Sequence, residues 1–397
     1  MSDVGFLCDA SAQLAAESGR ISELVSAKLI EDSPWNRMVE QSNFPQSMGQ
    51  TLQTLIWQRT VVPDVSNAAW SEVGLNTGTG TSCNPTPQQI EYAYSYKSYN
   101  LEQIAIKSPV LCINDIRYAW QFAEQLGEQY RVLAENAQWI WENRYRDEFL
   151  RLAGNHVVLD SLNPYECSTT GSDTDFAASE LISPIQQGFL DAFYLQLARD
   201  SAEGYYAKVD GQKQFALIAS PETINNLKKQ NSDIRQDLRF SSTANTLLAP
   251  LGATWSYMNF IYIADLQCPR YTFTGGEFVR VPYYVTAAAT SGQQAVINPA
   301  YISAPYEVSF IYNSHVYTSR VASAITSPGG NTKFDAVNYR GDFVWRNILD
   351  NECNILGNQG YFYSLSMQGS QPKRTEWGYA IMAKRCGSSN YDVTCAS

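Results

Sequence analysis

The chain has 397 residues, only 17% of them charged, and a net charge of −11 from 28 basic and 39 acidic side chains. Binding nucleic acid through its phosphates needs clustered Lys and Arg. The longest basic runs here are "PKR" at 372–374 and "NNLKKQ" at 225–230, so composition argues against a dedicated DNA- or RNA-binding role; the acidity fits a chain that does not adhere to polyanions.

Residues 1–48 pair a short helical pattern, "ISELVSAKLIED", with polar linker. Apolar residues recur at Ile21, Leu24, Val25 and Leu29 and stop before Pro34. With so little apolar content the segment reads as an arm lying over something else.

Two strand-like stretches follow, "TLQTLIWQRTVVPDV" (51–65) and "QIEYAYSYKSYNLEQIAIKSP" (89–109), both rich in β-branched and aromatic residues. In the second, Ile90, Tyr92, Tyr94 and Tyr96 share one face. Extended throughout, residues 90–107 would span about 60 Å at roughly 3.3 Å per residue. Ordinary strands reach roughly 10 residues. Such a ribbon projects beyond a compact domain unless it bends near Tyr99–Asn100. Between the arms lies "NTGTGTSCNPTP" (76–87), whose Gly78 and Gly80 superficially suit a phosphate cradle. A P-loop needs Gly-Lys-Ser/Thr and then a helix whose N-terminus faces the phosphates. Here there is no lysine, and Pro85 and Pro87 lead into a strand. The stretch reads as a mobile hairpin tip.

Residues 114–155 switch to helical periodicity. Ile116, Ala119, Ala123, Leu126, Tyr130, Leu133, Ala137, Ile140, Arg144, Glu148 and Leu152 recur every three or four positions. Asn114 or Asp115 suits the N-cap and Gly154 the C′ position. The helix would be on the order of 58 Å long, interrupted only by Gly127, and is expected to pack along a sheet. After a polar linker at 163–179, "SPIQQGFLDAFYLQLARDS" predicts a helix capped by Ser183 with Pro184 first. "QFALIASPETINNLKKQ" predicts a strand, then a second helix opened in the same way by Ser220-Pro221-Glu222. "TWSYMNFIYIADL", "YEVSFIYNSHVYTSRV" and, in the closing segment, "DFVWRNIL", "YFYSLSMQ" and "YAIMAKR" read as strands. There is no internal repeat.

The eight cysteines are scattered with no CxxC pair, so no zinc site is expected. An even count permits disulfides, but the start has neither a basic n-region nor an apolar core, so reduced, cytosolic thiols are expected. No apolar run approaches the roughly 20 residues that cross a bilayer, and no membrane association is expected. His156 and His315 stand outside any nucleophile motif and read as structural. Glu142, Asp147 and Glu148 lie within a turn of Arg144, Arg146 and Arg151, which points to helix-surface ion pairs before a catalytic carboxylate dyad. No catalytic, cofactor or metal site is expected, and the chain does not read as an enzyme. The 25 Tyr and 9 Trp suit surfaces that become buried against a partner.

The order of parts is arm, long hairpin, very long helix, α/β lobe and closing strands. Over essentially the whole chain this resembles the major capsid proteins of tailed double-stranded-DNA phages, whose α+β fold is shared with encapsulins and herpesvirus capsid floors. "ALIASPETINNLKKQ" is similar to the strand and Ser-Pro-Glu helix of their axial domains, and "LSMQGSQPKRTEWGYAIMAKRC" to their terminal Pro…Glu-Trp-Gly-Tyr-Ala-Ile strand. The resemblance implies an N-terminal arm (1–48), an extended β-hairpin loop (49–110), a peripheral domain with its spine helix (111–179), an axial domain (180–330) and returning peripheral strands with the tail (331–397).

It further implies self-assembly as pentamers and hexamers into an icosahedral head that encloses double-stranded DNA without sequence-specific contact. Portal, scaffolding or cement proteins would be partners, assembly would take place in the host cytoplasm, and the virion would be the final location. Candidate inter-subunit contacts are Trp57, Arg59, Trp70, Tyr94, Tyr96 and Lys97, the alternative being that the even-numbered tyrosines pack on their own spine helix. With Met1 in place no large cleaved N-terminal segment is expected, and Lys97 lies on a hairpin arm instead of the tip used for crosslinking in some members. Two other readings stay open: an encapsulin-like compartment shell, and a glycan-binding or glycan-active protein, which would need clustered aromatics beside a carboxylate pair in one cleft.

Overall fold

The structure, a computed structural model, describes residues 35, 40–44, 51–58, 93–100, 102–108, 111–112, 122–159, 167–169, 176, 183–200, 202, 206–209, 212–230, 253–257, 259–285, 296–313, 317–322, 344–347 and 359–385. The first half contributes β1 (Glu40–Phe44), β2 (Thr51–Gln58), β3 (Ala93–Asn100), β4 (Glu102–Lys107) and β5 (Leu111–Cys112). Next come the long helix α1 (Phe122–Leu152), β6 (Asn155–Leu159) and β7 (Cys167–Thr169). The middle supplies α2 (Gln187–Arg199), β8 (Tyr206–Val209), β9 (Gln212–Ala219), α3 (Pro221–Gln230), β10 (Ala253–Tyr257), β11 (Phe260–Ala264), β12 (Arg270–Thr274) and β13 (Glu277–Val281). The remainder is β14 (Tyr284–Val285), β15 (Val296–Ile297), α4 (Pro299–Ser303), β16 (Tyr306–Tyr312), β17 (Tyr317–Ala322), β18 (Val344–Asn347), β19 (Gln359–Pro372) and β20 (Tyr379–Lys384).

Apolar runs distant in sequence meet in one mixed sheet, ordered β10-β11-β9-β16-β20-β6-β7, with β8 on β9 and the β12–β13 hairpin on β16. Its central strands are apolar on both faces, as a sheet covered on both sides requires. In β9, Ala216 and Ile218 face one layer, whereas Phe215, Leu217 and Ala219 face the other. Strand β20 splits the same way, with Ala380 and Met382 on one side and Tyr379, Ile381 and Ala383 on the other. Helix α1 covers the first face through Ala137, Trp141, Tyr145 and Phe149. Helices α2 and α3 cover the second through Phe189, Phe193, Leu197, Ile224 and Leu227. The result is an α/β/α sandwich built on the period-two alternation of strand side chains.

A second sheet, ordered β1-β17-β19-β18 with β4 and β5 also on β19, is threaded by the 14-residue β19. The β4–β19 pairing continues just past its ladder, where Ser108 N–H donates to Phe362 O (2.8 Å) and Phe362 N–H donates to Ser108 Oγ (3.0 Å). Phe362 and Ile106 join the core that α1 forms with the first sheet, and Arg144 of α1 pairs with Glu102 of β4 at 2.6 Å. The long helix therefore touches both sheets. Strands β2 and β3 form a separate two-stranded ribbon. The extended stretch expected at 90–107 breaks between Asn100 and Glu102: β3 pairs with β2, and β4 passes to the second sheet. The bend thus falls where the chain changes partner.

Several local expectations are corrected. The buried stripe of α1 departs from the sequence pattern after Ala137, running Trp141, Tyr145, Phe149 and Ala153, so Ile140 is 43% exposed. The i, i+4 aromatic row outcompetes the i, i+3 step because it delivers rings to the sheet. Gly154 follows the helix, but its φ is not among the positive values. What calls for glycine there is a close approach, since an added Cβ would lie 2.4 Å from Thr375 O. Ser183 does not cap α2; the helix starts at Gln187 with Gln186 as an N-cap that makes no side-chain bond. The Ser183 backbone is taken up by the sheet, donating to Leu159 O (3.1 Å) and accepting from Lys384 N–H (3.0 Å). Ser220, by contrast, caps α3 as expected, with Thr223 N–H donating to its Oγ at 3.2 Å. The N-terminal helical pattern, residues 114–121 and the Gly/Thr stretch 76–87 lie outside the described residues.

Candidate functional site: the exposed face of the ribbon

Strands β2 and β3 form because "TLQTLIWQ" and "AYSYKSYN" alternate β-branched, apolar or aromatic residues with polar ones. Their antiparallel register sets Leu55 opposite Tyr96, Trp57 opposite Tyr94, and Gln53 opposite Ser98. Positions two apart share a face, so Leu55, Trp57, Tyr94 and Tyr96 stand on one side. The tyrosine rings meet edge to face with centroids 5.6 Å apart. Tyr94 is 53% exposed, Tyr96 66% and Leu55 40%. Tyr94 and Tyr96 thus keep more than half of their surface open, while Tyr92 lies outside the described residues. Lys97 stands opposite Thr54, one register position on, hence on the other face. Arg59 and Trp70 lie outside the described residues. Leu55 was not singled out in the sequence, although its place two residues before Trp57 puts it on the same face. A two-stranded ribbon is marginal in water by itself. An exposed aromatic face on such a ribbon is a surface suited to burial against another molecule.

The interior polar groups are structural. Arg146, grouped by sequence with the surface arginines, is instead 1% exposed. It forks onto Asp265, Nε to Oδ2 at 2.7 Å and Nη2 to Oδ1 at 2.8 Å. Trp35 Nε1–H donates to the same Oδ2 at 2.9 Å, tying that residue into the core. Burial pulls the Arg146 pKa down, but the Asp265 charge and hydrogen bonds outweigh it and push the value up. Ion pairs do form around this helix, the half-buried Arg144 with Glu148 at 3.1 Å and the exposed Asp147 with Arg280 at 2.5 Å. His156 is buried, its Nε2 2.7 Å from Leu150 O, as a structural histidine should be; His315 lies outside the described residues.

An open cleft of about 410 Å³ is lined by Pro221, Glu222, Leu266, Arg270, Tyr283 and Tyr301, among others. Sequence did not signal it, because its walls come from four separate segments. Glu222 is bound by Arg270 (3.0 Å) and Arg385 (3.1 Å). Burial raises its pKa, but these arginines and a backbone hydrogen bond bring it below the usual carboxylate range. Glu222 is the one carboxylate among the described lining residues. A lone, ion-paired carboxylate supplies neither the general acid nor the pair that glycosidic chemistry needs. Among the described residues no cluster of His, Cys, Asp and Glu could hold a metal ion, and no helix is long and apolar enough to cross a membrane.

No protein-family model matches the sequence, and no curated protein does. Solved structures match in shape. The capsid of Ralstonia phage GP4 aligns with a TM-score of 0.50 at 10% identity, covering 88% of this chain and 87% of that one. The Cyanophage Pam1 capsid asymmetric unit aligns at 0.48 and 11% identity, over 90% and 93%. The acid-stable capsid of Helicobacter pylori bacteriophage KHP30 aligns at 0.44 and 11%, over 87% and 88%. The first of these establishes the fold: nearly the whole chain adopts the mixed α/β architecture of a phage capsid protein.

Proposed function

We propose that this chain is a shell-forming structural protein without enzymatic activity, the major capsid protein of a tailed double-stranded-DNA phage. Copies would assemble as pentamers and hexamers into an icosahedral head. The observation that carries the reading is the match to a phage capsid along nearly the full length of both chains. The exposed Leu55–Tyr94–Tyr96 face supports it, being an unburied aromatic surface of the kind that subunit contacts consume. On this reading Trp57, Tyr94 and Tyr96 contact an adjacent subunit, and Arg59, Trp70 and Lys97 are further contacts of the same loop. The division into arm, extended loop, peripheral and axial domains is proposed with it, as are portal, scaffolding or cement partners, enclosed DNA and assembly in the host cytoplasm.

Negative-stain microscopy with light scattering on the purified chain, over a concentration and salt series, tests the proposal. Closed shells or ring-shaped capsomers, rising steeply with concentration, are expected. A strictly monomeric or dimeric chain at high concentration, both alone and with co-expressed neighbouring head genes, would overturn it.

A further inference from the structure

Glu307 lies in β16 near the middle of the first sheet and is 0% exposed. Its Oε1 accepts hydrogen bonds from the hydroxyls of Ser220 (2.8 Å) and Thr223, both at the start of α3. Its Oε2 has no hydrogen-bond partner among the described residues. Arg270 sits directly opposite in the β12–β16 register, but its two Nη groups are committed elsewhere, and its Nε, like Glu307 Oε2, has no hydrogen-bond partner among the described residues. It donates to Glu222 and to Tyr301 O (3.2 Å) and stacks 4.4 Å from the Tyr301 ring centre. An ionised carboxylate in this position would be buried with one oxygen unpaired, a cost of several kcal/mol. A neutral acid removes most of that cost.

One of these hydroxyls has a second task. Ser220 Oγ is the N-cap of α3, and the first turn of that helix carries Glu222, which ties Arg270 and Arg385 together at the cleft. Whatever happens at Glu307 is therefore transmitted to the cap and the cleft wall.

We propose that Glu307 is a proton-sensitive peg: as the neutral acid it fastens the start of α3 to β16, and on ionisation it loosens that joint and the cleft wall built on Glu222. The charged and titratable groups that act on it are Glu222 on α3, Arg270 on β12 and Cys268, with Arg385 reaching it through Glu222 and Tyr301 through Arg270. Burial pushes the Glu307 carboxyl up, against the Thr223 and Ser220 hydroxyls and the Arg270 charge, which pull it down, while Glu222 adds to the rise. Because the folded value is raised, the peg's contribution is complete below the unfolded carboxylate value of about 4.3 and is lost as pH rises through the folded value. Glu222 is shifted the other way, so its contribution is present above the unfolded value and lost only at lower pH. A scan between about pH 5 and 8 therefore reads Glu307 without interference from Glu222.

The test is urea unfolding of the full chain across that range, for the wild type and Glu307→Gln, which keeps the shape of the neutral acid. The wild-type midpoint should fall as pH rises, while E307Q should vary less and exceed the wild type at the alkaline end. Hydrogen exchange of the first-turn amides of α3, corrected for intrinsic chemical rates, should accelerate with pH in the wild type only. Should E307Q fail to fold, infrared spectroscopy of the wild type with labelled glutamate still decides, through a protonated-carboxyl band that persists to higher pH than that of the other glutamates. A wild-type midpoint that rises with pH, an E307Q that is less stable at the alkaline end, or absence of that band would each overturn the peg. None of these readouts depends on whether the chain forms shells.

Discussion

Asp265 shows how much one side chain can hold in this protein. It receives two bonds from Arg146 and one from Trp35, and its Oδ1 also accepts from Gln267 N–H at 2.9 Å. Removing one member of a buried pair leaves the other charged and unpaired, a loss of about 3–5 kcal/mol. Asp265→Ala is expected to lose that much in urea unfolding. The double replacement Arg146→Met with Asp265→Leu should lose much less, because it leaves no orphan charge. Gly154 is a second single-residue hinge of stability. Gly154→Ala drives a Cβ into Thr375 O and is expected to cost about 1–3 kcal/mol. A thermal melt that leaves G154A unchanged would show that the 375–377 turn yields freely.

Elements differ in what holds them. Helix α1 is secured by rings: Phe149 lies 5.6 Å from Trp35, 5.4 Å from Phe310 and 4.9 Å from Tyr312. Phe149→Ala should therefore cost about 3–5 kcal/mol in the unassembled chain. The ribbon is the opposite case. Its exposed rings contribute little to the isolated fold, so Tyr94→Ser with Tyr96→Ser should shift subunit stability by no more than about 0.5 kcal/mol. The same pair of changes should greatly reduce the assembled fraction in light scattering. Equal losses in folding and assembly would mean that the face is internal structure and not a contact.

At the scale of the whole molecule, charge governs how copies approach one another. A subunit with a net charge of −11 repels its own kind. Screening shortens that repulsion, from a Debye length of about 10 Å at 0.1 M salt to about 3 Å at 1 M. Assembly is accordingly expected to rise with salt across this range, read as scattering at fixed protein concentration. A fall with salt would point to contacts dominated by ion pairs in place of the aromatic face.

The sequence by itself determined those features whose causes are local. Apolar runs rich in β-branched and aromatic residues gave away strands β9, β11, β16 and β20, and helical spacing the existence of α1. Ser220-Pro221-Glu222 announced the start of α3, because a cap is satisfied within its own first turn. The aromatic face of β3 was likewise legible from Tyr94 and Tyr96 alone. The same Ser-Pro device at Ser183-Pro184 misled, since its backbone bonds were claimed by Leu159 and Lys384, far away along the chain. Only the tertiary structure decided that Arg146 is buried while Arg144 is not, that β3 and β4 serve different sheets, and that Glu307 meets Ser220 and Thr223. Each of these depends on which distant segment arrives to supply the second half of an interaction, and no spacing within a segment records that.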